Sequence, residues 1–410
     1  MLRSTIVIAI ALLVASPAFC SNAKKYCKTL AQADMLVAQK KYWSAYQLLD
    51  KTDPDNENSI LFLKKADIVQ NYFLFNIMNQ IFCIDDLPGD KSVEELRGKE
   101  EASGCHTVML AIDTIANRLL LKEPDNALLY RCLGDFYTSA ARRFGEQWFE
   151  PTTAPDLMAR ARGYYLKANN LGLNDAEITA TVAESYLYQE NYRDARRYFA
   201  QAIALSADTI ANYHYNMALA HYFDTDSGNI AMATIQAAIA ARHYPQGSDY
   251  QYDALYILGM SQMRNDNPLQ AIVSFEKANA ISPNRNYLLF SMIEAQLKAQ
   301  SPEWRTTAQT YLKLFADNTD LTSRLPELLA QTDSTKFDEL KTILAERIQY
   351  TSDQLQIANL NLATAQVFMY GPDKSKARSF LLKAKDFFSR DSDEYDNILG
   401  YINQLLKHAK

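Results

Sequence analysis

The chain has 410 residues, with 42 Lys and Arg against 48 Asp and Glu, for a net charge of −6. Gly and Pro number 12 each, well below their usual shares of about 7% and 5%. That argues against a turn-rich β-sandwich or barrel, whose tight turns need positive or fixed φ, and the absence of any run of five Lys or Arg argues against nucleic acid as the main partner.

The chain opens Met1-Leu2-Arg3, continues through an uninterrupted apolar stretch at residues 6–15, and then reads Ser16-Pro17-Ala18-Phe19-Cys20. One basic residue, a short apolar stretch and small residues near a break predict a secretory signal peptide over residues 1–20. Ten residues make about 15 Å of helix, half of a bilayer core, and no later stretch is long and apolar enough to span a membrane. Cleavage after Cys20 fits signal peptidase, and Ser21-Asn22-Ala23 offers a second site. Alternatively Cys20 is the lipidated first residue of the mature chain, although Phe19 is bulky for that route. Either way the protein is expected to be exported, to a periplasmic, cell-surface or extracellular location.

Residues 21–127 read as divergent helical units. Lys41-Tyr42-Trp43-Ser44-Ala45 with Leu48-Leu49 has the pattern of a second helix; residues 58–82 and 106–121 are two longer helical patterns, the latter stopped by Pro124 and Asn126. Four cysteines remain after cleavage: Cys27, Cys83, Cys105 and Cys132. An even number in an exported protein permits disulfides. The polar segment 84–104, with Pro88-Gly89-Asp90, suggests a Cys83–Cys105 bridge closing a loop between two helices, worth roughly 3 kcal/mol. The alternative is buried free thiols. Asp85-Asp86 and Glu94-Glu95 in that loop are expected to be solvated.

The body of the chain repeats. The clearest unit reads Leu255-Tyr-Ile-Leu258-Gly259-Met-Ser-Gln262, then Asn267-Pro268-Leu269-Gln270-Ala271, Phe275, Ala278 and Pro283. These offsets are those of W-x2-L-G-x2-Y, A-x3-F, Ala and a closing Pro. Gly259, Ala271 and Ala278 are small where two helices must approach; Leu258 and Phe275 fill the space between them. On these residues the chain resembles the tetratricopeptide-repeat (TPR) family. Related units start around Leu133-Gly134, Val182-Ala183, Met217-Ala218, Met292 and Leu362-Ala363, and residues 321–331 and 336–349 make a degenerate one. The resemblance implies an all-α, right-handed superhelical solenoid of antiparallel helix pairs over residues 128–392. Residues 393–410 form an amphipathic capping helix, with Tyr395, Ile398, Leu399, Ile402 and Leu405-Leu406 on one side.

No HExxH, GxSxG, GxGxxG or Walker loop occurs. No catalytic residue, metal ligand or cofactor is therefore expected, and the protein is expected not to be an enzyme. His214 and His221 share a helix face without a third ligand, and His221 stands where the repeat has its packing Tyr. The insertion at residues 141–156 carries Phe144, Trp148 and Phe149, either as a binding edge or tucked onto the N-terminal third. In the TPR family the first helices of successive repeats line a concave groove. Carried over by offset from the Leu-Gly position, the groove would present Asn212, Tyr215 and Tyr222, then Asp253, Tyr256, Met260 and Met263, then Tyr287, Phe290 and Glu294. Arg131, Asp135, Glu177 and Glu184 would give it an acidic N-terminal end. The implied function is an exported scaffold that binds a peptide or protein partner through a Tyr- and Met-lined groove. The alternatives are a lipid-anchored envelope component organising a membrane-associated complex, or carbohydrate binding through the same tyrosines.

Overall fold

The computed structural model describes residues 17–99, 104–144, 152–391 and 393–409, the side chains from residue 26 onward. The apolar stretch at 6–15, on which the signal-peptide expectation rests, lies outside the described residues, as do Trp148 and Phe149. The chain divides into two compact units, at Leu205 and Ser206.

The first unit begins with α1 (Pro17–Ala38), α2 (Tyr42–Thr52) and α3 (Ser59–Tyr72). Asn58 starts α3 by accepting the N–H groups of Ile60 and Leu61 on its side chain. Lys65 of α3 is fully buried, yet its ammonium reaches the Asp50 carboxylate at 3.1 Å and the Asp53 carbonyl at 2.7 Å. That satisfies a charge which burial would otherwise disfavour.

The next segment departs from the helical expectation for residues 58–82 and 106–121. The chain forms an antiparallel sheet in the order β1 (Phe75–Ile77), β2 (Ile81–Ile84), β3 (His106–Met109), with the short α4 (Val93–Leu96) between β2 and β3. Met78 and Asn79 both take positive φ, +49° and +54°, and Gln80 N–H donates to Ile77 C=O. This is the turn whose twist suits a hairpin. Asn76 and Asn79 clamp it: Asn79 N–H donates to Asn76 Oδ1 at 2.9 Å, and Asn79 Nδ2 donates to the Phe136 carbonyl at 3.2 Å. Cys83 and Cys105 are disulfide-bonded, with Cα atoms 5.5 Å apart. The bridge closes the excursion between two adjacent strands rather than a loop between helices. Cys27 and Cys132 are free thiols. Asp86, expected to be solvated, accepts from both the backbone N–H and the hydroxyl of Ser44, and His106 stacks on Trp43 at 4.3 Å. The sheet is thereby fastened to the start of α2.

Helix pairs then take over: α5 (Ile112–Leu120), α6 (Ala127–Arg143), α7 (Ala154–Asn170), α8 (Ala176–Tyr188) and α9 (Tyr192–Leu205). Each packs on the next, and α6 also packs on α3. Asn126 caps α6, Asp175 caps α8, and Thr153 with Asp156 forms a capping box on α7. Gly134 lets the Tyr165 ring of α7 lie against the α6 backbone.

The second unit is built of α10 (Ala211–Phe223), α11 (Ile230–His243), α12 (Asp249–Arg264), α13 (Pro268–Ile281), α14 (Asn286–Lys298), α15 (Trp304–Phe315), α16 (Thr319–Thr332), α17 (Phe337–Gln349), α18 (Gln354–Tyr370), α19 (Lys374–Phe388) and α20 (Asp396–His408). The first helices of its pairs, α10, α12, α14, α16 and α18, touch one another in sequence. At the α12–α13 contact a Cβ on Gly259 would come within 3.0 Å of three atoms of the buried Phe275 ring. Ala271 and Ala278 on α13 are fully buried. Helices α16 and α17 occupy the place of the degenerate repeat. Helix α20 packs on α19 through Ile402, with Ile398, Leu399, Leu405 and Leu406 around it. Each unit is built of helix hairpins, and the first also carries one small sheet. Among the described residues, no helix is long and apolar enough to cross a membrane.

Candidate functional site

The expected face of the second unit is assembled by spacing. Tyr215 lies on α10, Asp253, Tyr256, Met260 and Met263 on α12, and Tyr287 and Phe290 on α14. Residues three and four apart on a helix share a face, and adjacent first helices bring these faces together. The Tyr256 and Tyr287 rings meet edge to face at 5.0 Å. Tyr287 also meets Tyr252 at 6.4 Å, and Tyr215 meets Tyr244 at 6.3 Å. Tyr215, Tyr256, Met260, Met263 and Phe290 are half-buried with their inner sides on the core, and Tyr287 is 37% exposed. Burial, with the Asp253 charge second, pushes the Tyr215 phenol up to about 12. Burial likewise raises the Asp253 carboxyl; Asp249 adds to this and Arg285 opposes it. These shifts put Tyr215, Asp253 and Arg285 in one electrostatic neighbourhood.

Tyr222 is covered on this face. It is only 6% exposed, and the Arg264 guanidinium lies 3.9 Å above its ring while donating to its carbonyl at 2.6 Å. The offset rule gives its position but not its exposure, because Arg264, at the end of α12, reaches across and covers the ring. The same device recurs twice: Arg285 stands 4.6 Å over Tyr252, and Arg324 stands 4.3 Å over Phe290. Arg285 also donates to the Tyr287 hydroxyl at 3.3 Å. Each pair is a cation–π contact; Tyr222 and Tyr252 are buried beneath their guanidinium groups, and Phe290 is half-buried beneath Arg324. The offset pattern misses these arginines; the signal for them is an Arg within reach of each aromatic layer. Beyond Phe290, a 340 Å³ depression between α14 and α16 is lined by Glu294, Lys298, Arg324 and Glu327.

The acidic N-terminal end falls in the first unit, where it lines a larger cavity of about 750 Å³. Its floor is the stripe Leu128, Arg131, Asp135, Thr138 and Arg142 of α6, with walls from α3, the loop before α8, and α8 itself. Arg131 lies between Asp135 (3.7 Å) and Asp175 (3.3 Å). Glu177 belongs to the same lining, and Arg142 pairs with Glu184 at 2.9 Å. Phe144, at the end of α6, packs on the core of the first unit. His214 and His221 are both buried, and His214 contacts Gln236 at 2.6 Å. Among the described residues, no group of three His, Cys, Asp or Glu is placed to hold a metal.

No protein-family model matches the chain, and no curated protein does. Solved structures do resemble it. YrrB, a TPR protein with an unusual peptide-binding site, is 16% identical with a TM-score of 0.40, covering 59% of this chain and 96% of YrrB. PilF of Pseudomonas aeruginosa is 17% identical with a TM-score of 0.36, covering 66% of this chain and 97% of PilF. The C-terminal part of a TPR repeat-containing protein of Cytophaga hutchinsonii is 16% identical with a TM-score of 0.40, covering 66% of this chain and 93% of that one. At these scores the helix-hairpin fold rests on the chain's own geometry, and the solved structures it resembles are TPR proteins.

Proposed function

We propose that the chain is an exported, non-enzymatic scaffold that binds a peptide or protein segment along the Tyr215–Tyr256–Tyr287–Phe290 face of its second unit. The observation that carries this reading is the run of half-buried rings on α10, α12 and α14. Each is backed by core on one side, and Tyr256 and Tyr287 contact each other at 5.0 Å. Rings held in this way offer a large contact area at little entropic cost. Arg285, paired with Asp249, and Glu294, paired with Lys298, set charges of both signs around them, which is recognition chemistry. Export is supported by the N-terminal apolar stretch and by the Cys83–Cys105 bridge, which persists in oxidising compartments.

The test is a photo-crosslinking amino acid placed at position 287 in the native cell, with position 269 as control; Leu269 is 66% exposed on α13, away from the first helices. A partner captured from 287 and not from 269 supports the reading, and equal capture from both positions sinks it. Intact mass of the mature protein separates cleavage after Cys20 from a diacylglyceryl-modified Cys20, the anchored alternative.

A further inference from the structure

The cavity of the first unit is chemically unlike the aromatic face of the second, and its charges do not balance. Arg131 is one cation facing three carboxylates, Asp135, Asp175 and Glu177. Burial lowers its tendency to stay protonated, yet those three charges together raise it above the ordinary guanidinium value. Asp135 sits on the cavity floor, surrounded by protein but with 45% of its side chain reachable through the opening. Its Oδ1 accepts from the Tyr165 hydroxyl at 2.8 Å, while Oδ2 has only Arg131 Nε at 3.7 Å. The other cations are engaged elsewhere. Arg142 is held by Glu184. Arg143 lies over the Phe73 ring at 4.2 Å, and Arg97 stands over the same ring at 4.2 Å. Lys64 pairs with Asp34 and Asp67, and Asp67 also accepts from Asn71. The apolar surface beside Asp135 comes from Leu63, Leu128, Leu173 and Ile178.

We propose that this cavity takes a lysine or arginine side chain of a bound peptide, its cationic head against Asp135 and Glu177 and its aliphatic stem along Leu128 and Ile178. The volume, about 750 Å³, is within the range of small-ligand sites. Arg131, the cation nearest Asp135, is already shared between two carboxylates, and the other lining arginines are engaged by Glu184 and the Phe73 ring. A bound cation would also ease the repulsion among Asp135, Asp175 and Glu177.

The site carries its own pH signature. Burial pushes the Asp135 carboxyl up to about 6, Glu177 and Asp175 add to this, and Arg131 and the Tyr165 hydrogen bond oppose it. The groups facing it are Asp67 from α3, Arg131, Cys132, Arg142 and Arg143 on its own helix, Tyr165 from α7, Asp175 from the loop, and Glu177 from α8. The Cys132 thiol is pushed up by burial and stays neutral. Cation binding that needs ionised Asp135 therefore weakens about tenfold between pH 7.5 and pH 5.

The test is calorimetric titration of the full mature chain with acetyl-Ala-Lys-Ala-amide. The norleucine and glutamate analogues and n-butylamine are run beside it. The proposal expects the lysine peptide to bind at least tenfold more tightly than either analogue or the free amine. It further expects binding about tenfold weaker at pH 5 than at pH 7.5, with that pH dependence lost in Asp135→Asn. Glu177→Gln, at an exposed position, should weaken binding severalfold and move the pH midpoint down. It serves as the test variant if Asp135→Asn does not fold. The proposal is overturned if the glutamate peptide binds as well as the lysine peptide, if the pH dependence survives in folded Asp135→Asn, or if Glu177→Gln leaves both the affinity and the pH midpoint unchanged. It is also overturned if n-butylamine matches the peptide, which would make the cavity an amine site, or if no peptide binds at millimolar concentration.

Discussion

Gly259 offers the sharpest test of the helix-hairpin geometry. Replacing it with Ala inside α12 should favour the helix by about 1 kcal/mol, since Gly is the poorest ordinary helix former. The added Cβ, however, would lie within 3.0 Å of three atoms of the Phe275 ring, where carbon contacts are normally about 3.5–4.0 Å. The ring cannot swing clear: Phe275 is fully buried and its other neighbours include Tyr256 at 5.9 Å. Overpacking of this kind costs about 1–3 kcal/mol, so Gly259→Ala should destabilise by up to about 2 kcal/mol net. The same substitution at Gly163 in α7, where a Cβ meets nothing within 4 Å, should stabilise by about 0.5–1 kcal/mol. Urea unfolding of both variants reads the two signs. Equal effects, or a stabilising Gly259→Ala, would refute the close α12–α13 approach.

Tyr222→Ala should cost about 3 kcal/mol in urea unfolding because a buried ring is removed, whereas Tyr287→Ala should cost under about 1 kcal/mol; similar losses would contradict the covering of Tyr222 by Arg264. Asp135→Asn should raise the melting temperature at pH 7.5 and not at pH 4. The native pKa is raised, so the contribution of this group is full below the unfolded value and lost as pH rises through about 6. Because solvent reaches the side chain, the gain is about 1 kcal/mol; an equal effect at both pH values would contradict it. Reducing the Cys83–Cys105 bridge should lower stability by about 3 kcal/mol in the chain-entropy account, read as an earlier urea midpoint with dithiothreitol, and an unchanged midpoint would count against it.

The helix pairs are legible in the sequence because their contact positions demand small residues. Gly259, Ala271 and Ala278 recur at fixed offsets, and the stacked helices follow from them. The sheet is not legible. Residues 73–84 are so apolar that their periodicity resembles a buried helix, and the turn that breaks it is built from Met78 and Asn79 in left-handed conformations instead of the usual Asn-Gly. The side chains of Asn76 and Asn79 stabilise that turn through contacts no pattern encodes. On the aromatic face the offsets locate Tyr215, Tyr256, Tyr287 and Phe290 on one surface. They do not reveal that Tyr222 is covered, because a repeat template carries backbone position and not the reach of Arg264 from a neighbouring helix. The charges of Arg131, Asp135 and Glu177 are readable in sequence. Their convergence on one cavity is not, since it depends on α3 packing against α6 and on the placement of α8.

The central claim is that the aromatic face of the second unit, with Tyr287 and Phe290 of α14 at its edge, carries partner recognition. The measurement is the affinity of the captured partner for the wild-type protein, for Tyr287→Ala/Phe290→Ala, and for Leu269→Ala, each with its fold confirmed by unfolding. Loss of at least tenfold in the double variant, with Leu269→Ala unchanged, is the predicted result. Unchanged affinity in a folded double variant would contradict it.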